Sequence, residues 1–243
     1  MNVVVYTALF GRIDRLWSVP PTAMGARYIA FTEVPRREVG LWTRGGANRP
    51  AMVRGSGKNP ALFPAWEQRI VPLKWGDRRT ARHYKALPHR YIPDTDVWIW
   101  VDANVRLLIP PERAVVKWLG DGGLAVFNHP DRSCLYDEAD FCGRKGKDGR
   151  DVLAKQIRKY AADGMPRKWG LAETRCVIRR NTPRMAELGE MWWAEIERHS
   201  FRDQVSLPCC CWKMGLRWKV IPGRVYVGEH RTNKDFWFVK HGS

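Results

Sequence analysis

Asp102 and Asn104 close the run Val97-Trp98-Ile99-Trp100-Val101-Asp102-Ala103-Asn104. The five apolar residues, β-branched and aromatic, fit a strand buried on both faces. A carboxylate at the carboxyl end of such a strand sits where open α/β sheets bind ligands. In an extended chain, residues i and i+2 point to one side. Asp102 and Asn104 can then offer two oxygens to one hard cation such as Mn²⁺ or Mg²⁺. The alternative is a strand end followed by an Asx turn. Upstream, Arg78 to Lys85 reads as a helix stopped by Pro88, with Arg78, Arg82 and Lys85 on one face at i, i+4 and i+7. Such a stripe, with Arg79 beside it, can hold a diphosphate. As an alternative it is an exposed basic face.

Further polar groups cluster after other apolar runs. His129 follows Leu124-Ala125-Val126-Phe127, and Asp137-Glu138 lies a few residues on. Either acid could deprotonate an acceptor as a general base. The pair could equally complement a helix dipole, and His129 could simply bond backbone at a strand end. Asp203 of Arg202-Asp203-Gln204 would by itself be a helix N-cap.

The elements that must position these groups alternate. Strands are read at 2–8, Tyr28–Thr32, 97–101, 124–127, Cys176–Ile178 and Trp218–Ile221. A short helix starting at Asp14-Arg15-Leu16-Trp17 is expected between the first two strands. Others are expected at Glu112–Leu119, Asp151–Asp163 and Met185–His199, with a last one from Arg202. The alternation favours an α/β sheet in one domain over 1–243. No GxGxxG follows the first strand, and no GxxxxGK[ST], HExxH or GxSxG occurs. Dinucleotide folds, P-loop enzymes and the common hydrolases are therefore disfavoured. Residues 36–90 differ: thirteen Lys or Arg face three acids, interleaved with Gly, Pro and Trp. A basic, aromatic-rich insertion at about 36–80 is a candidate nucleic-acid surface, or a solvated loop anchored by its aromatics.

The chain has 243 residues, a net charge of +17 and thirteen Trp. Such charge favours an anionic partner. The six Cys form no CxxC pair, and three are adjacent, which disfavours structural zinc and a disulfide framework. No signal peptide and no run of the ~20 apolar residues that span a bilayer are visible. Action in the cytoplasm, the host's if the source is viral, is expected.

Six motifs occur in order: Tyr6-Thr7-Ala8-Leu9-Phe10-Gly11, Tyr28-Ile29-Ala30-Phe31-Thr32, Arg82-His83-Tyr84-Lys85, Trp100-Val101-Asp102-Ala103-Asn104, Cys134-Leu135-Tyr136-Asp137-Glu138-Ala139 and Arg202-Asp203-Gln204. Together they resemble the TOD/MUCI-type glycosyltransferase-like family, long a domain of unknown function. That family has plant mucilage-related and bacterial members. It is similar to GT-A fold nucleotide-sugar glycosyltransferases of the glycogenin-containing family. The resemblance implies a GT-A-like domain with a central mixed, mostly parallel sheet flanked by helices. It implies a nucleotide-sugar donor, a UDP-sugar being expected, and metal dependence. Asp102 and Asn104 take the place of the Asp-x-Asp metal motif, with Asn in place of its second carboxylate, and His230 completes the metal set. Tyr6, Thr7 and Ala8 match the strand end that holds the base. Arg82 and Lys85 match the helix that meets ribose and phosphates. Asp203 and Gln204 match the pair that holds the sugar. Lys234 is a phosphate candidate, although Asn233 stands where the His-x-x-Gly-x-x-Lys pattern has Gly.

The charge and the missing export signal point to an anionic acceptor inside the cell. The expectation is a hydroxymethylated pyrimidine base in DNA, flipped from its stack as in bacteriophage DNA hypermodification. Two alternatives stand beside it. One is a surface-polysaccharide or glycolipid glycosyltransferase in peripheral contact with an anionic membrane. The other is a non-catalytic nucleic-acid-binding module.

Overall fold

The computed structural model describes residues 1–12, 14–20, 22, 25–39, 41–42, 52–53, 65–224 and 234–238. Its main strands are β1 (Val3–Leu9), β2 (Arg27–Thr32), β3 (Glu67–Ile70), β4 (Val97–Val101), β5 (Leu124–Asn128), β6 (Ala172–Arg180) and β7 (Lys219–Ile221). They form one sheet in the order β7-β5-β6-β4-β1-β2-β3. β6 runs antiparallel to both neighbours, and every other pairing is parallel. The expected central mixed, mostly parallel sheet is therefore present.

Buried parallel strands need apolar residues on both faces, and β1 and β4 supply them. Val3, Val5, Ile99 and Val101 face one core, where Val115, Trp118 and Leu119 cover the sheet. Val4, Tyr6, Trp98 and Trp100 face the other. There they meet α1 (Asp77–Ala86), α6 (Pro183–Arg198) and α7 (Asp203–Lys213) through Ala81, Leu188, Trp192 and Leu207. A third cluster joins α4 (Leu135–Arg144), α5 (Arg150–Ala162) and α7 through Leu135, Leu153, Tyr160 and Cys209. All six cysteines are buried and unbridged. No helix among the described residues is long and apolar enough to cross a membrane.

Several elements depart from the sequence reading. Leu16–Trp17 is not helical but pairs in parallel with Glu38–Val39. The indole of Trp66 donates to the Trp17 carbonyl at 2.7 Å, and the Trp66 amide donates to Glu38 at 2.9 Å. Those bonds pull the segment onto the sheet edge and keep it extended. After α1 comes the one-turn helix α2 (Pro88–Tyr91), and Pro111 opens another single turn, α3 (Pro111–Ala114), which widens into a π-helix over Val115–Leu119. The strand read at Cys176–Ile178 spans nine residues, because it is paired on both sides. Of the basic insertion, 40, 43–51 and 54–64 lie outside the described residues. Its later part contributes β3 and the start of α1.

Against the helical layer, His83 sits among Trp75, Tyr91 and Trp193, its Nε2 2.7 Å from the Tyr91 hydroxyl. Burial, aided by Arg90 and Lys74 and partly opposed by Glu190, pushes its pKa down to about 4. The folded state thus holds the ring neutral where the unfolded chain protonates it. Between pH 6.5 and 4 the unfolded state binds more protons, so stability falls as pH falls. Denaturation midpoints across that window should show a shallower slope in His83→Gln, by about one proton. An unchanged slope would contradict this placement of His83.

Candidate active site

The carboxyl ends of β1 and β4 lie side by side, since these strands are parallel neighbours. A cavity of about 530 Å³ opens there, a size suited to a nucleotide-sized ligand. β1 contributes Ala8 and Leu9, with Phe10 just beyond, and β4 leads into Asp102 and Ala103. The first turns of α1 bring Asp77, Arg78, Ala81 and Arg82. Because β6 runs the other way, its early residue Arg175 reaches the same edge, and the Arg175 carbonyl accepts the Asp102 amide at 2.8 Å. Phe201 and Arg202 arrive from the approach to α7, and Lys147 from the turn after α4. Five cationic side chains (Arg78, Arg82, Lys147, Arg175, Arg202) thus face three acids (Asp14, Asp77, Asp102) on one wall. Such a surplus attracts an anion, and guanidinium forks match phosphate oxygens.

Beneath the floor lies a buried charge cluster. Lys85 is 1% exposed. Its Nζ is 2.5 Å from Asp203 Oδ2 and 3.5 Å from Asp102 Oδ1. Arg82 Nε is 3.3 Å from Asp203 Oδ1, and the Thr174 hydroxyl donates to Oδ2 at 2.9 Å. Burial alone would raise the Asp203 pKa, but the charges of Arg82 and Lys85 outweigh it and hold the carboxyl far below its usual range. The Trp100 indole donates to Asp102 Oδ1 at 2.7 Å. The helix that carries Lys85 is anchored in turn. Arg179 donates to the Ala86 carbonyl at 2.9 Å, to the Lys85 carbonyl and to the Tyr6 hydroxyl, and Tyr6 donates to the Lys85 carbonyl at 2.9 Å.

Of the residues singled out from the sequence, Ala8, Arg78, Arg82 and Asp102 come together on the wall. Tyr6 and Thr7 are in the core instead. Arg79 points away and donates to the carbonyls of Ile196, Glu197 and His199 at the end of α6. Asp203 and Gln204 lie behind the wall rather than on it. Asp203 is 2% exposed and makes no side-chain cap, while Gln204 accepts from Arg202 at 3.0 Å. Both reach the cavity through the cations they hold.

Asp137 and Glu138 occupy the first turn of α4, away from the cavity wall. Asp137 pairs with Arg167 at 2.7 Å. Glu138 is buried against Arg132 at 2.5 Å and accepts from the Cys142 thiol at 3.1 Å. His129 Nδ1 accepts the amides of Asp131 and Arg132, each at 3.2 Å. The backbone-bonded alternative for His129 is therefore the observed one, and neither acid is placed to act as a base in this cavity. Lys234 is exposed in the turn before Phe236–Phe238 and is not part of the wall. His230 lies outside the described residues. Sequence reasoning missed Arg175, Lys147, Phe201 and the Arg202 side chain. No local signal marks Arg175, since β6 also carries Arg179 and Arg180 and only its direction sends Arg175 to the cavity.

Among the described residues, the two expected cation ligands do not come together. Asp102 and Asn104 do not share an extended segment, because the Val105 amide donates to the Asp102 carbonyl at 2.8 Å and closes a turn. Asn104 is 2% exposed and absent from the wall. Among the described residues no group of three His, Cys, Asp or Glu is disposed to hold a metal.

The model of the TOD1/MUCI70 glycosyltransferase-like domain matches residues 69–229. Arabidopsis thaliana has a "Probable hexosyltransferase MUCI70" that is 24% identical over 139 residues, covering 53% of this chain and 24% of that protein. The chain thus spans about a quarter of the length of this curated relative. A solved apo structure of the bifunctional glycosyltransferase WbbM superposes with a TM-score of 0.47 at 10% identity, over 91% of this chain and 38% of that one.

Removing one partner of a buried, multiply bonded ion pair leaves an uncompensated charge. Asp203→Asn should therefore destabilise the protein by about 3–5 kcal/mol, read by chemical denaturation. The apolar double variant Lys85→Met/Asp203→Leu should lose less. A single variant within about 1 kcal/mol of the wild type would show that the cluster is not tightly coupled.

Proposed function

The chain belongs to the TOD1/MUCI70 glycosyltransferase-like family, and from that premise we propose that it transfers a hexosyl group from a nucleoside diphosphate sugar to a hydroxyl acceptor. The observation that carries this reading is the cation-lined cavity at the carboxyl ends of β1 and β4. Breaking the bond between the sugar and the diphosphate builds negative charge on the departing oxygen. Fixed cations aimed at that charge lower the barrier, because their orientation costs nothing at the moment of reaction. Arg78 and Arg82 on α1, Arg175 on β6 and Arg202 ahead of α7 converge from three elements on this cavity. Phe10 and Phe201 offer apolar surface for the base or the sugar face. Asp102, the carboxylate at the end of the central strand, can accept hydroxyl hydrogens of the donor.

A panel of UDP-, GDP-, ADP- and dTDP-sugars, assayed for nucleoside diphosphate release, tests the reading. One donor should be turned over, and Arg175→Ala should lower kcat/KM by about 10- to 100-fold, the effect of removing one or two tenfold steps of transition-state stabilisation. Absence of release from every donor, or an unaffected Arg175→Ala, would sink it.

The acceptor we propose is anionic, with DNA bearing hydroxymethylated pyrimidines as the specific candidate. Besides the net charge of +17, an exposed basic run (Arg144, Lys145, Lys147, Arg150) borders the cavity at Lys147. Contacts to a nucleic-acid backbone release counterions, so affinity falls steeply as salt rises. Duplex affinity measured from 50 to 200 mM salt should drop by more than about tenfold. Lys147→Glu should weaken it further. Binding to anionic vesicles but not to DNA would shift the acceptor to a lipid-linked glycan.

A further inference from the structure

The position of Lys85 bears directly on how the cavity handles charge. A divalent cation in such a site needs several oxygen ligands. The described wall offers Asp14, Asp77 and Asp102; the last ends the central strand, where its Oδ1 already accepts the Trp100 indole and lies 3.5 Å from the Lys85 ammonium. That ammonium cannot retreat. It is packed 5.3 Å from the Trp100 ring and 5.9 Å from the Trp192 ring, and it is tied to Asp203 at 2.5 Å. A metal ligated by Asp102 would lie close to a fixed positive charge in a region of low dielectric, where repulsion is strong. On the outer side of Asp102, Arg78, Arg82, Arg175 and Arg202 line the space a diphosphate would fill.

We propose that this site binds and turns over its donor without a divalent cation. Lys85 serves as a positioning residue that supplies the internal positive charge to Asp102, and the wall arginines hold the diphosphate. This rests on the glycosyltransferase reading and deepens it. No metal-bound step is needed. The acceptor oxygen bonds to the anomeric carbon as the carbon–oxygen bond to the diphosphate breaks. The diphosphate departs with that electron pair and takes up the hydroxyl proton, while the cations of Arg78, Arg82, Arg175 and Arg202 hold its remaining charge.

Titration calorimetry with UDP, GDP, ADP and dTDP, in EDTA and again in Mn²⁺, tests this on the wild-type chain. One nucleotide should bind with Kd values that agree within about twofold between the two conditions. Binding tightened about tenfold or more by Mn²⁺ would overturn the metal-free inference and leave the glycosyltransferase reading standing. Failure of all four to bind in both conditions would remove both. A second readout is independent of the donor. Mn²⁺ should leave the wild-type melting temperature unchanged and raise that of Lys85→Met, where Asp102 has lost its resident cation. A rise in the wild type alone would refute the role given to Lys85. Should Lys85→Met not fold, the calorimetric comparison still decides.

Discussion

An ammonium group with almost no access to water has to be compensated, and Lys85 is compensated by two carboxylates from different parts of the chain. Taking such a charge out of water costs several kcal/mol, and only close, well-bonded partners offset it. Meeting that demand ties the end of β4, the last turn of α1, the start of α7 and Thr174 of β6 to one another. The wall of the cavity is the outer surface of this arrangement. Arg82 belongs to both, since it touches Asp203 within and the open space without.

A second set of buried bonds fixes the helix that delivers these cations. The last carbonyls of a helix lack partners within it. In α1 those of Lys85 and Ala86 are met by Arg179 and Tyr6 from the sheet. The cationic end of Arg179 also suits the negative end of a helix dipole. Tyr6, which the sequence suggested as a base-binding residue, is therefore committed to holding the helix in register. Glu138 acts comparably for Arg202, which approaches it at 3.7 Å while Arg132 and Cys142 hold the carboxylate in place. The residues with the most conspicuous chemistry in the sequence thus often serve as supports, and the half-buried cations they brace, Arg82 and Arg202, line the cavity.

The sheet and its flanking helices were legible because apolar periodicity is a local signal. The runs at 97–101 and 124–127 could be read directly as strands, and Arg78, Arg82 and Lys85 could be placed on one helix face. What could not be read depends on long-range geometry. The turn that withdraws Asn104 is closed by a single backbone bond, and its polar residues look the same in an extended chain. Arg175 joins the site only because β6 is reversed relative to β4, a fact of topology with no mark in the residues themselves. The segment at Leu16–Trp17 reads as a helix start until Trp66, far along the chain, claims its carbonyl.

The reversal of β6 has one more consequence. In a wholly parallel sheet, chain leaves the carboxyl edge after each strand and re-enters at the far side. Here the polypeptide also comes in at that edge, through the connection between α5 and Ala172. That inbound connection contributes no residue to the wall, but the strand it feeds does. A reversed strand thus lets Thr174 steady the buried carboxylate from one face while the next residue, Arg175, lines the open space.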